Sequence, residues 1–269
     1  MKKTVKAEKR EEYSQKTKGN RLTQILVCLA VLTSICAIVL AVKVIPQELE
    51  IAAAGRELDV LPQLPKTSTV VWSVLNTYEE KMRGINPDYV GLLTIEGMND
   101  FPVVRGNDNE KYLSTSYVGD ENILGAIFMD YRCAGEDEPH IIIYGHNATD
   151  LSGNSYFFNG LSLFLDEKYM SEHPIITFIE NDYLYEFKIF SARITDINDP
   201  AYQLDFSQTG VFETFLERNG APPDAVQILT LSTCYVAGGD DGRIVVQGVR
   251  RNVWEVDKMQ TMVAEYVRH

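Results

Sequence analysis

Cysteine is scarce in this chain. Four are present in 269 residues, and Cys28 and Cys36 fall inside an uncharged apolar run, where a thiol behaves as a small hydrophobe. Only Cys133 and Cys234 remain beyond that run, so at most one disulfide can form there and a disulfide-stapled scaffold is excluded. Histidine is equally rare, with four residues, at His140, His146, His173 and His269. Internal repeats, low-complexity tracts and Gly-Ser linkers are absent, which excludes a solenoid and leaves no second domain boundary past about residue 45. Glu136-Asp137-Glu138 and Asp240-Asp241 lack further spaced ligands, so they read as solvated charge, and no metal or other cofactor is expected.

Net positive charge is confined to one end. Residues 1–21 hold eight Lys or Arg against Glu8, Glu11 and Glu12, while the whole chain carries −13, so the body beyond Arg21 is strongly acidic. A body of that sign repels polyanions, and nucleic acid is excluded as a partner. The 45% hydrophobic content suits one sizeable core in a single folded domain.

From Leu22 to Val42 no residue is charged. As a helix, rising about 1.5 Å per residue, such a run matches a hydrocarbon core of about 30 Å. The spacing predicts a transmembrane signal-anchor over residues 22–44, with the basic tail, residues 1–21, in the cytoplasm and everything later outside the cell. Leu40-Ala41-Val42-Lys43 is a poor match for the small-residue cleavage site of a signal peptide. Ile35 before Cys36 is too bulky for a lipoprotein box, so the anchor is expected to be retained.

N-terminal helices are expected over residues 45–83: one from Gln47 to Leu58, then, past Pro62 and Pro65, a second from Lys66 to Arg83 with Val70, Val71, Val74, Leu75 and Tyr78 on one face. From there to about residue 252 the pattern turns to short β-branched runs bounded by turn residues. They are Tyr89–Ile95, Ile123–Met129, His140–Tyr144, Ile175–Ile179, Tyr183–Phe190, Ala225–Leu231 and Arg243–Val249. Helices are predicted over Leu161–Met170 and Ser207–Asn219, the second capped by Ser207 and stopped by Gly220. Residues 253–269 read as an amphipathic helix with Val256, Met259, Val263 and Tyr266 on one side. The fold class is mostly β.

Three residue settings stand out chemically. Cys234 ends the run Val226-Gln227-Ile228-Leu229-Thr230-Leu231-Ser232-Thr233-Cys234 and is followed by the polar Gly238-Gly239-Asp240-Asp241-Gly242, a place where a nucleophile is held rigidly yet exposed. Arg243 opens the next run, so a hairpin across the loop brings its guanidinium toward the sulfur, where it favours thiolate and can donate to an oxyanion. His146, in Tyr144-Gly145-His146-Asn147, leaves a buried strand through a glycine and suits a general acid. Taken singly, each is ordinary: a core cysteine, a solvated arginine, a turn histidine.

Together they carry a resemblance. Thr230-Leu231-Ser232-Thr233-Cys234 resembles the TLxTC signature of the sortases, with Arg243 downstream and His146 on its own strand upstream. The similarity runs from about Arg83 to Arg250. Gly125-Ala126-Ile127-Phe128-Met129-Asp130-Tyr131-Arg132, Tyr144-Gly145-His146-Asn147 and Thr195-Asp196-Ile197-Asn198-Asp199-Pro200 look like class B, as do the leading helices and the helical insertion before the cysteine strand. The resemblance implies an eight-stranded β-barrel. It implies that Cys234 is the nucleophile, His146 the acid and base, and Arg243 the holder of substrate and oxyanion, with Ser232, Tyr144 and Thr233 at substrate-binding or supporting positions.

The activity it implies is a membrane-anchored transpeptidase at a Gram-positive cell surface. Its partners would be secreted proteins bearing an NPxTx-like or PxTG-like C-terminal sorting motif and an amine of peptidoglycan. The alternatives are an anchored wall-binding module in which Cys234 is merely core, an inactive homologue, and a pilin-polymerising sortase of another class. Papain-like enzymes place Cys before His, whereas here His146 comes first. A disulfide between Cys133 and Cys234 that switches activity off has no spacing argument behind it.

Overall fold

The computed structural model of the chain describes residues 29, 32–33, 45–57, 72–133, 138–149 and 155–255. The chain divides into two compact units, residues 1–50 and 51–269. In the first, Leu29, Leu32 and Thr33 are helical, as is the start of α1 (Ile45–Glu57). The rest of the expected span lies outside the described residues, and no helix among those described is long and apolar enough to cross a membrane. The expected C-terminal helix, residues 253–269, is corrected at its start, where residues 253–255 end a β-strand paired with residues 183–185; the remainder lies outside the described residues.

In the second unit α2 (Trp72–Ile85) precedes the strands; residues 66–71, where that helix was expected to begin, are not among the described ones. Tyr78 and Met82 are buried, four residues apart and therefore on one face. Pro87 cannot continue the helix, and Asn86 closes it, its backbone N–H donating to the Met82 carbonyl at 3.0 Å and its side-chain amide to the Tyr117 carbonyl at 2.7 Å.

Ten strands follow among the described residues: β1 (Tyr89–Ile95), β2 (Asp100–Val104), β3 (Phe128–Met129), β4 (His140–Tyr144), β5 (Asn147–Thr149), β6 (Ser155–Phe157), β7 (Ile175–Glu180), β8 (Tyr183–Asp196), β9 (Ile228–Cys234) and β10 (Gly242–Glu255). Eight close into a barrel in the order β1-β2-β3-β4-β9-β10-β8-β7, and β5 and β6 form a hairpin apart. Two contacts, β2 with β3 and β4 with β9, are parallel. Two short helices interrupt the strands, α3 (Glu167–Glu172) and α4 (Val211–Asn219).

The structure corrects several expected elements. Of the run Ile123–Met129 only Phe128 and Met129 form a strand, because Gly125 turns through φ +58 with Tyr112 and Leu113 packed against it, leaving no room for a Cβ. β2 was not expected. Its Pro102 is tolerated because β2 meets β3 at Val104 alone, leaving most of that side an edge. The stretch Leu161–Met170 is a 3-10 turn, Phe158–Leu165, followed by α3, whose cap is Asp166. Ser207 does not cap α4; its hydroxyl donates to Asp205, and the cap is Gly210 at φ 83. Gly220 does end α4, in the left-handed conformation.

Alternation along the strands divides them into two faces. Ile141, Ile143, Leu229, Leu231, Ile244 and Val246 point into the barrel and join its main core. The residues between them point outward, and two covers shield them. One is α2 with the segment carrying Tyr112 and Tyr117, which packs on Tyr89, Leu92, Val104 and Phe128. The other is the insertion between β8 and β9, where Phe215 and Leu216 of α4 pack on Ile228 and Val249. Arg193 of β8 fastens this second cover, donating to Asp199 at 2.6 Å and to Asn219 at 2.8 Å. Between the covers, part of the outer wall of β4, β9 and β10 stays open.

Candidate active site

That open wall carries the residues singled out above. β9 is buried along its length except at its last residue, Cys234. Arg243 lies directly opposite on antiparallel β10, so the two Cα atoms are about 5 Å apart and both side chains rise from the same face. On the other flank β4 runs parallel to β9 with Tyr144 opposite Ser232. Two residues further on, the chain reaches His146 level with Cys234. His146, Cys234 and Arg243 thus form one row across three neighbouring strand lines, and Tyr144 and Ser232 belong to the row below.

The ladder does not hold His146, because β4 ends at Tyr144. Side-chain bonds do. Thr233 Oγ1 donates to the Gly145 carbonyl at 2.7 Å, and Asn147 Nδ2 donates to the Cys234 carbonyl at 2.8 Å. Asn159 in turn donates to Asn147 Oδ1 at 2.6 Å. Gly145 is required here, since a Cβ would meet Ile127 Cδ1 at 2.3 Å. The Nε2 of His146 lies 2.8 Å from the Leu113 carbonyl. A carbonyl only accepts, so Nε2 carries a proton and Nδ1 is left as the exchanging nitrogen.

Arg243 is tethered by one nitrogen: Nη1 donates to the carbonyls of Asp240 and Gly242 at 2.9 and 2.8 Å. Among the described residues its Nε and Nη2 have no partner, nor does the Cys234 sulfur. The row opens onto a cleft of about 200 Å³ lined by Asn109, Leu113, Tyr144, His146, Cys234 and Arg243 together with Phe128, Gly145, Ser232 and Thr233. All six residues proposed from the sequence line this one cleft. Their parts differ, however. Thr233 is buried and its hydroxyl proton is committed to Gly145, so it positions the histidine turn and has no proton to give a substrate. Ser232 shares a hydrogen bond of 2.8 Å with Tyr202, a residue of the insertion.

Other residues at this site were not singled out from the sequence. Asn109, Leu113 and Tyr202 come from loops and 3-10 turns, and Asn147 opens the short strand β5, none of them with a periodic signal. Asp130 is fully buried beneath the cleft and pairs with Arg132 at 2.8 Å. Burial pushes its carboxyl upward, but bonds from Arg132 and Asn109 outweigh that and hold it below the usual range. Burial, then the charge of Asp130, pushes the Tyr144 phenol well above its ordinary value. Cys133 is no partner for Cys234. Its thiol reaches the His140 carbonyl, and His140 pairs with Ile228, six residues and about 20 Å down β9 from Cys234. Burial also raises that thiol to about 12, so it stays unreactive. No group of residues suited to holding a metal ion occurs among the described residues.

Comparison with known proteins agrees with this geometry. The sortase domain family matches residues 93–251, more than half the chain, and the chain therefore belongs to the sortase family of cysteine transpeptidases. Within the family its similarity is to class B. Sortase B of Listeria monocytogenes is 32% identical over 179 residues, which cover 62% of this chain and 71% of that protein. The X-ray structure of Clostridium perfringens sortase B has a TM-score of 0.58 at 28% identity, covering 65% of this chain and 100% of that one. A crystal structure of a sortase B complexed with triglycine has a TM-score of 0.58 at 27% identity, covering 68% of this chain and 87% of that one. The closed eight-stranded barrel is thus the sortase fold, and its relatives are of class B.

Proposed function

We propose that this sortase cleaves a C-terminal sorting motif, NPxTx-like or PxTG-like, after its Thr and joins the secreted protein to an amine of cell-wall peptidoglycan. The row of His146, Cys234 and Arg243 along one open cleft carries this reading. The Cys234 sulfur, its proton passed to His146 Nδ1, attacks the Thr carbonyl carbon, and the Nε and Nη2 donors of Arg243 stabilise the oxyanion. His146 delivers a proton from Nδ1 to the departing amine as the peptide bond breaks, leaving a thioacyl enzyme. An acceptor amine then attacks the thioester, His146 takes its proton at Nδ1, and the Cys234 thiolate leaves as a new peptide bond forms. The solved relative complexed with triglycine supports an amine acceptor at such a cleft.

The same reading holds the enzyme in the membrane through residues 22–44, with its N-terminus in the cytoplasm and the barrel outside a Gram-positive cell. The basic residues before an uncharged run of spanning length support that orientation. Incubating the chain with peptides of both motif types and triglycine tests the reaction. A product whose mass equals the peptide truncated after Thr plus triglycine is expected, and intact peptides of both types after long incubation would overturn it.

A further inference from the structure

The buried carboxylate beneath the cleft has a consequence for what the cleft can bind. We propose that Asp130 is a positioning residue that fixes the hydrogen-bonding polarity of the cleft wall, so that the wall reads one backbone amide unit of an extended peptide.

Asp130 is 0% exposed yet accepts from five donors. Oδ1 takes the Arg132 backbone N–H at 3.0 Å and Nε at 2.9 Å. Oδ2 takes Arg132 Nη2 at 2.8 Å, Asn109 Nδ2 at 2.9 Å and the Tyr144 hydroxyl at 3.0 Å. An ionised carboxylate only accepts, so Tyr144 spends its single proton on Asp130 and can present only lone pairs to the cleft. Asn109 is oriented in the same way. Its Oδ1 is used by the Tyr131 backbone N–H at 3.0 Å and one amide proton by Asp130, which leaves one N–H to give.

Tyr144 and Asn109 both line the cleft. The wall therefore offers one acceptor beside one donor, the complement of a peptide N–H and C=O. Asn109 and Tyr144 thus act with Asp130 as one unit, and the Phe128 ring, tilted against the Tyr144 ring with centroids 5.3 Å apart, keeps the phenol from swinging away.

The Asp130→Asn substitution reverses this polarity. With its oxygen kept by Arg132, the new amide turns N–H groups toward Asn109 and Tyr144, donor against donor, and both must rotate. The inference rests on the peptide-cleaving reading, so its test has two arms. In the first, Asp130→Asn, Tyr144→Phe and the double variant are assayed on a sorting peptide. Each is expected to raise KM about tenfold while kcat moves less than about threefold, the size of one charged hydrogen-bond set lost from ground-state binding. The double variant should be no worse than the poorer single one, because the two residues act together. A KM unchanged in Asp130→Asn, or penalties that multiply in the double variant, overturns the proposal.

The second arm needs no substrate. Nuclear magnetic resonance of the Asn109 side-chain amide should show slow proton exchange in the native protein and fast exchange in Asp130→Asn, with the Cys234 alkylation rate within about twofold. Unchanged Asn109 exchange overturns the proposal even if no peptide is ever turned over, in which case the functional reading has failed separately.

Discussion

Cys234 and Arg243 sit in the same row as His146, but the two halves of the row are held by different physics. The cysteine and arginine face each other as one rung of the β9–β10 ladder, so the main chain alone places them. The histidine stands two residues past the end of β4 and depends on Thr233, Asn147, Asn159 and the Leu113 carbonyl. Backbone register tolerates side-chain change, whereas a turn tied by single hydrogen bonds does not. The nucleophile and its cation therefore belong to the rigid wall, and the proton carrier is the adjustable member.

The largest expected effect lies on the rigid side. Cys234→Ala removes the only nucleophile on the row, and transfer of a sorting peptide to triglycine should fall to the level without enzyme; any remaining enzyme-dependent product would place the chemistry elsewhere. Arg243→Lys keeps the rung and the charge but loses the planar fork. With Nη1 replaced and the free Nε and Nη2 gone, turnover should drop about 100-fold, the cost of an oxyanion donor. Near-normal turnover would show that a point charge suffices.

A smaller loss is expected from the turn. Asn147→Ala with Thr233→Val deletes two hydrogen bonds worth about 1 kcal/mol each, or about thirtyfold in rate if all of it comes from the placement of His146. The comparison sharpens if Cys234 still reacts with a small alkylating reagent at the native rate. It breaks if alkylation slows as much as turnover, since the turn would then also be holding the wall.

An effect on stability rather than on rate concerns the far end of the same wall, where the insertion covers it. His140 is buried there, with Nδ1 against the Gln203 carbonyl and Nε2 against Thr230 Oγ1, both at 2.7 Å, and burial lowers it to about 4. The folded protein therefore refuses a proton that the unfolded chain accepts at about 6.5. Stability from this group is whole above pH 6.5, is lost as pH falls toward 4, and changes no further below that. Between pH 7 and 4.5 the native protein should lose about 2–3 kcal/mol more than His140→Gln in denaturant unfolding. Parallel losses in the two proteins would mean that His140 is already charged in the fold.

Legibility in the sequence followed the same division. β1 and β4 have the expected bounds because their apolar runs end in turn residues, and the hairpin joining Cys234 to Arg243 spans a short glycine-rich loop. The parallel pairing of β4 with β9 joins His140 to Ile228 across 88 positions with no local mark, so nothing periodic could set His146 level with Cys234; only the family resemblance did. β2 was hidden by Pro102, and the β5–β6 hairpin by its polar residues. Asp130 sat within a quoted motif, yet its work became visible only once Asn109 and Tyr144 were folded onto it. Ser207 misled because a hydroxyl before a helix reads as a cap, when its own partner was Asp205.

The row itself is most directly tested by locating the acyl group. A sorting peptide with no acceptor amine should leave the chain heavier by the fragment ending in Thr, and digestion should place that mass on Cys234. An adduct on Cys133 or on any residue away from the cleft, or none while the peptide is consumed, would contradict the account.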